Sequence, residues 1–90
     1  MTVATTRDSV PQRIVVLRLL SDCDMYGLEM VAVASESLTR EGVYVVLKRM
    51  QKAKLITSYL EKKEGRGPKK RFYKITDLGR KNLQTHEAML

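Results

Sequence analysis

The stretch from Thr39 to Thr76, TREGVYVVLKRMQKAKLITSYLEKKEGRGPKKRFYKIT, constrains this chain more than any other part of it. It reads as a helix, a strand, a basic glycine-containing turn and a second strand. Between Arg40 and Lys74 stand twelve Lys and Arg residues against three acids, Glu41, Glu61 and Glu64, so the segment carries +9 while the whole 90-residue chain carries +7. The positive charge is therefore concentrated in one continuous stretch, the electrostatic footprint of a phosphate-binding surface.

The helix of this stretch has two faces. At a helical repeat, Val43, Val46, Leu47, Met50 and Ala53 share one side. Arg40, Tyr44, Lys48, Gln51 and Lys52 share the other, with Glu41 and Val45 beside them. A major-groove face uses such a mixture: Arg and Lys for guanine edges or phosphates, Gln for adenine, an apolar group for the thymine methyl. Taken alone, the helix is explained equally well by a solvated basic face with scattered apolar residues.

The hairpin separates the two readings. Leu55–Leu60 and Arg71–Ile75 are rich in strand formers (Ile56, Thr57 and Tyr59; Phe72, Tyr73 and Ile75). Glu61–Lys70 between them holds two glycines and a proline, which turn the chain and do not continue a strand. A basic helix followed by a two-stranded hairpin with a basic tip is the second half of a winged helix-turn-helix, and the combination is more specific than either part.

The remaining segments supply the first half. Residues 1–8 are expected to form a disordered arm. Asp8 or Ser9 can cap a first helix with Pro11 in its first turn, running to about Ser21. A second helix is expected from about Met25 to Glu36. Gly27 in its first turns is costly unless something packs closely there. Thr39 can cap the third helix, which ends near Ala53–Lys54 without a glycine to mark the end. Thr76 can cap a last helix. The expected fold is mostly α with a small β wing (α+β): a winged helix-turn-helix domain over 9–76, with three N-terminal helices and a two-stranded wing, and a C-terminal dimerisation helix over 77–90.

Ile14 to Leu20 is apolar nearly all the way round, so its helix is buried on more than one side, and a partner chain is the expected cover. Ile14, Leu17, Leu78, Leu83, His86, Met89 and Leu90 are the expected interface of a homodimer.

No enzyme is legible. One histidine, His86, and one cysteine, Cys23, make no metal site of recognisable spacing and no disulfide framework. Gly65-Arg66-Gly67 precedes a strand, whereas a dinucleotide-binding loop precedes a helix. No cofactor is expected. No apolar run approaches the roughly 20 residues that cross a bilayer, and no signal-peptide pattern opens the chain. A cytoplasmic protein without a membrane partner is the expectation, and its pI near 9.8 favours nucleic acid as partner.

Four motifs in order carry a family resemblance: Tyr26-Gly27-Leu28-Glu29-Met30, then Gly42 to Met50, then Leu55-Ile56, then Gly67 to Gly79. Together they closely resemble the PadR family of bacterial transcriptional regulators over about Pro11 to Gly79. The resemblance implies a winged helix-turn-helix, a homodimer and binding to operator DNA. It also implies that the Tyr44 helix enters the major groove and that the basic wing lies on flanking phosphates or the minor groove. The recognition-helix candidates are Thr39, Arg40, Glu41, Tyr44 and Lys48. The wing candidates are Lys62, Lys63, Arg66, Lys69, Lys70 and Arg71. Val45 stands where the family often has proline, and Lys54 where it usually has glycine. Longer relatives carry an extended C-terminal dimerisation region. The chain has no tryptophan to stack an aromatic ligand, which weighs against ligand sensing, and no small-molecule effector is legible.

The leading expectation is a sequence-specific regulator of double-stranded DNA, a repressor on an inverted-repeat operator. Two alternatives remain open. One is a winged-helix protein–protein module, which normally lacks a cationic recognition face. The other is a low-specificity DNA-coating or maintenance protein of a plasmid or phage.

Overall fold

The computed structural model describes residues 10–62, 65 and 67–89. The expected N-terminal arm, the caps Asp8 and Ser9, the wing candidates Lys63 and Arg66, and Leu90 lie outside the described residues. Among the described residues the elements are α1 (Gln12–Asp22), β1 (Met25–Tyr26), α2 (Gly27–Val33), α3 (Arg40–Lys52), β2 (Ile56–Leu60), β3 (Arg71–Ile75) and α4 (Asp77–Ala88).

Two caps place α3 and α4. The Thr39 hydroxyl oxygen accepts from the Gly42 N–H at 2.9 Å, and Thr76 Oγ1 accepts from the Gly79 N–H at 3.0 Å. Each satisfies one of the N–H groups that a helix start leaves without a partner. The first turns of α3 and α4 also carry Glu41 and Asp77, acids at the positive end of each helix dipole.

The second element departs from expectation. Met25 and Tyr26 are extended and pair antiparallel with Tyr73 and Phe72, so the helix begins only at Gly27 and stops at Val33. The pairing gives these two residues backbone partners that an isolated segment would lack, and it drops Met25 into the core. The two-stranded wing read from the sequence, β2 and β3, is thereby extended by β1 into a three-stranded sheet in the order β1-β3-β2. In the β2–β3 ladder Ile56 faces Ile75 and Tyr59 faces Phe72.

The end of α3 explains how Lys54 replaces a glycine. Lys54 has φ 65°. The Leu55 N–H donates to the Met50 carbonyl and the Lys54 N–H to the Gln51 carbonyl, both at 3.0 Å. These are the two bonds of a Schellman motif, with buried Leu55 and Met50 as its hydrophobic contact. The left-handed residue is a lysine, whose Cβ is strained there. Lys54→Gly is expected to raise stability by about 0.5–1 kcal/mol, relief of that strain less the added freedom of the unfolded chain. Urea denaturation of parent and variant checks it, and a lower midpoint for the variant would contradict it.

The core is centred on α1. Ile14, Val16 and Leu17 are fully buried, and Leu20 nearly so, against Met30, Leu38, Val43, Leu47, Ile56 and Ile75. The expectation that a partner covers Ile14 and Leu17 is corrected, because α3, β3 and α4 of the same chain enclose them. Leu83 is likewise a core residue, 8% exposed, and is corrected with them. Two side-chain contacts tie α1 to α4: the Arg13 guanidinium donates to Asn82 Oδ1 at 2.9 Å, and Arg18 pairs with Glu87 at 3.2 Å.

Candidate nucleic-acid interface

All the described Lys and Arg residues between Arg40 and Lys74 are exposed. Arg18–Glu87, which lies outside this stretch, is the only ion pair among the described residues. The described cations of α3 and the wing are thus held in water with no ion-pair partner among the described residues, as a surface for polyanions requires.

On α3, Arg40, Glu41, Lys48, Gln51 and Lys52 are exposed, while Val43, Leu47 and Met50 face the core. Thr39 is exposed, but its hydroxyl oxygen is engaged in the cap. Tyr44 is 47% exposed and does not project freely. A Cβ built on Gly27 would lie 2.7 Å from Tyr44 Cε1 and 2.9 Å from its hydroxyl oxygen. Gly27 is therefore the floor on which the ring rests. This is the close packing that a glycine at a helix start demands.

The wing turns where glycine was read, with Gly65 and Gly67 both at φ 103°. Glu61 closes its neck. The Glu61 N–H donates to the Lys70 carbonyl, and the Lys70 N–H donates to Glu61 Oε1, both at 2.9 Å. Lys62, Lys69 and Lys70 are exposed, and Lys70 Nζ sits 4.7 Å over the Tyr26 ring.

Arg71 belongs to the seam between sheet and helix. Its Nη1 donates to Ser58 Oγ at 3.2 Å, and Gln51 Nε2 of α3 donates to the same oxygen at 3.1 Å. Ser58 thus joins the wing and α3. Sequence reasoning missed it, because a serine in a strand carries no signal without its register opposite Tyr73. The outer face of the sheet carries Tyr26, Phe72 and Tyr59 in contact, with ring centroids 5.5 and 5.9 Å from Phe72. The Tyr59 hydroxyl donates to Asp24 Oδ2 at 2.6 Å, and this bond holds its pKa above the ordinary 10.0. Burial likewise raises the Tyr73 hydroxyl, Arg71 opposes that shift, and the neighbouring Tyr44 adds to it.

Two depressions flank α3. One of about 250 Å³ lies between Tyr26, Gly27, Tyr44 and the Lys69–Arg71 segment. The other, about 390 Å³, lies between Arg13 and Arg49 over Val46, Met50 and Leu55. Among the described residues no three His, Cys, Asp or Glu side chains gather as metal ligands, and no helix is long and apolar enough to cross a membrane. Of the expected interface residues, Leu78 is 50% and Met89 80% exposed. His86 is half-buried, and its Nε2 finds no hydrogen-bond partner among the described residues.

A model of the transcriptional regulator PadR-like family matches residues 16–85. Among solved structures, a PadR family transcription regulator from Clostridium difficile R20291 is 29% identical, with a TM-score of 0.76 over 86% of this chain and 83% of that one. A transcriptional regulator from Clostridium thermocellum has the same fold at 22% identity, with a TM-score of 0.75 over 96% of this chain and 86% of that one. So does Bacillus subtilis PadR, solved in complex with operator DNA, at 22% identity and a TM-score of 0.75. There the match covers 88% of this chain but 46% of that protein. No curated protein matches the chain significantly.

Proposed function

Since this chain belongs to the PadR-like family of transcriptional regulators, we propose that it binds a specific double-stranded operator as a homodimer and represses transcription from it. The observation that carries this reading is the joint between α3 and the wing. The shared bonds of Gln51 and Arg71 to Ser58 hold the exposed face of the helix and the basic hairpin as one continuous cationic surface. With α3 in the major groove, Arg40 and Lys48 reach base edges, and Glu41 accepts from cytosine amino groups. Lys62, Lys69, Lys70 and Arg71 then lie along the backbone or the adjacent minor groove, where they position the protein without reading sequence. The operator complex of Bacillus subtilis PadR supports duplex DNA as the ligand of this fold.

Selection of bound duplexes from a random pool tests the reading. It predicts enrichment of an inverted repeat with half-site centres about one helical turn, or a multiple, apart. A specificity ratio near one between selected and random duplexes would instead support the DNA-coating alternative.

The exposed side of α4 is the surface this reading gives to the dimer. Leu78 and Met89 are the large apolar side chains left in water there, and a closed two-fold contact would cover both copies at once. Leu78→Glu with Met89→Glu is expected to give a folded monomer. It should bind a full site roughly 100-fold more weakly, because the two arms no longer act together. Sedimentation and full-site against half-site binding check this. A parent that is monomeric at micromolar concentration and binds both sites equally would refute the dimer.

A further inference from the structure

The cleft beside Gly27 has a composition that the base-reading role of α3 leaves unexplained. Its walls bring Lys69, Lys70 and Arg71 together with the rings of Tyr26 and Tyr44, and among the described residues no carboxylate lines it. Its volume of about 250 Å³ exceeds several times the ~30 Å³ share of one water. The Tyr44 ring lies against the Gly27 floor, which sets its hydroxyl at the cleft. None of the side-chain hydrogen bonds among the described residues uses that hydroxyl.

We propose that this cleft seats one phosphodiester of the bound duplex, and that Tyr44 is a positioning residue for the backbone and not a reader of bases. The phenol donates one hydrogen bond to a non-bridging phosphate oxygen, while Lys69 and Arg71 supply the charge. Lys70, 4.7 Å over the Tyr26 ring, adds its charge from the wall of the cleft. The Tyr44 contact is made at the junction of β1 and α2, so it fixes how deeply α3 sits in the groove while carrying no sequence information. The proposal rests on the duplex-binding reading above.

Tyr44→Phe keeps the ring on Gly27 and removes only the hydroxyl, so the fold is retained; thermal unfolding verifies this. The variant is expected to bind selected and random duplexes about 100-fold more weakly, by one and the same factor, as loss of one hydrogen bond to a charged group from each protomer, about 10-fold apiece, implies. Its salt slope should stay that of the parent, because no cation is removed. A series of selected duplexes, each with a single methylphosphonate, should contain one position per half-site where the Tyr44→Phe penalty shrinks by about 10-fold, to the share of the untouched half-site, since hydroxyl and phosphate charge are then coupled. A penalty confined to the selected duplex, relaxing preference at one base pair, would overturn the proposal and leave the regulator reading intact. So would unchanged binding to both duplexes, or a penalty that no methylphosphonate alters. A parent that binds no duplex would overturn both.

Discussion

Gly79→Ala is expected to lower stability by about 3 kcal/mol or more, the upper range for forcing extra volume into a packed site. Gly79 lies buried in the first turn of α4. An added Cβ would stand 2.2 Å from the Leu55 carbonyl oxygen, 2.9 Å from Ile75 Cγ1 and 3.2 Å from Leu17 Cδ2. The nearest atom is backbone and cannot rotate away. That carbonyl accepts the Thr76 N–H at 3.1 Å and lies 2.9 Å from the Thr76 hydroxyl, so moving it disturbs the cap that starts α4. Relief therefore requires α4 to lift from α1 and the sheet together. For a domain whose whole stability is about 5–10 kcal/mol, that is a large fraction. The thermal midpoint should fall by more than about 12 °C. Circular dichroism melting decides the matter: a midpoint within a few degrees of the parent would show that the close approach does not hold the fold.

Replacing Lys69 and Lys70 with glutamine should have the largest effect on binding. Each lost phosphate contact removes about 0.9 from the slope of log affinity against log salt, so two per protomer remove about 3.6 from a dimer. Over a rise from 50 to 200 mM salt, the variant's affinity should therefore change roughly 100-fold less than the parent's. Selected and random duplexes should respond alike, since phosphates carry no sequence. Both side chains are exposed, so folding should change by no more than the ~0.5–1 kcal/mol of the Lys70–Tyr26 contact. Salt titrations of binding provide the readout, and an unaltered slope would place the wing in solvent and off the duplex.

Much of the fold is legible without coordinates because its signals are local. Thr39 and Thr76 start α3 and α4 where their hydroxyls reach a backbone N–H three residues on. Gly65 and Gly67 turn the wing because each occupies a left-handed conformation that other residues avoid. The concentration of cations between Arg40 and Lys74 needed only counting, and the structure leaves the described ones exposed.

What the sequence left open depended on segments far apart in the chain. Met25 and Tyr26 have no periodicity to mark a strand, and only pairing with Tyr73 and Phe72 makes them one. Ile14, Leu17 and Leu83 had to be covered by something, but hydrophobicity has no direction, so the choice between a partner and the chain's own core waited for packing. The left-handed Lys54 follows from the burial of Leu55 on one side and the hydrogen bonds closing α3 on the other. Tyr44 was placed on the polar face of α3 by helical spacing alone. Where its hydroxyl rests was decided by Gly27, a residue of another helix, through a contact that exists only once the two helices have packed.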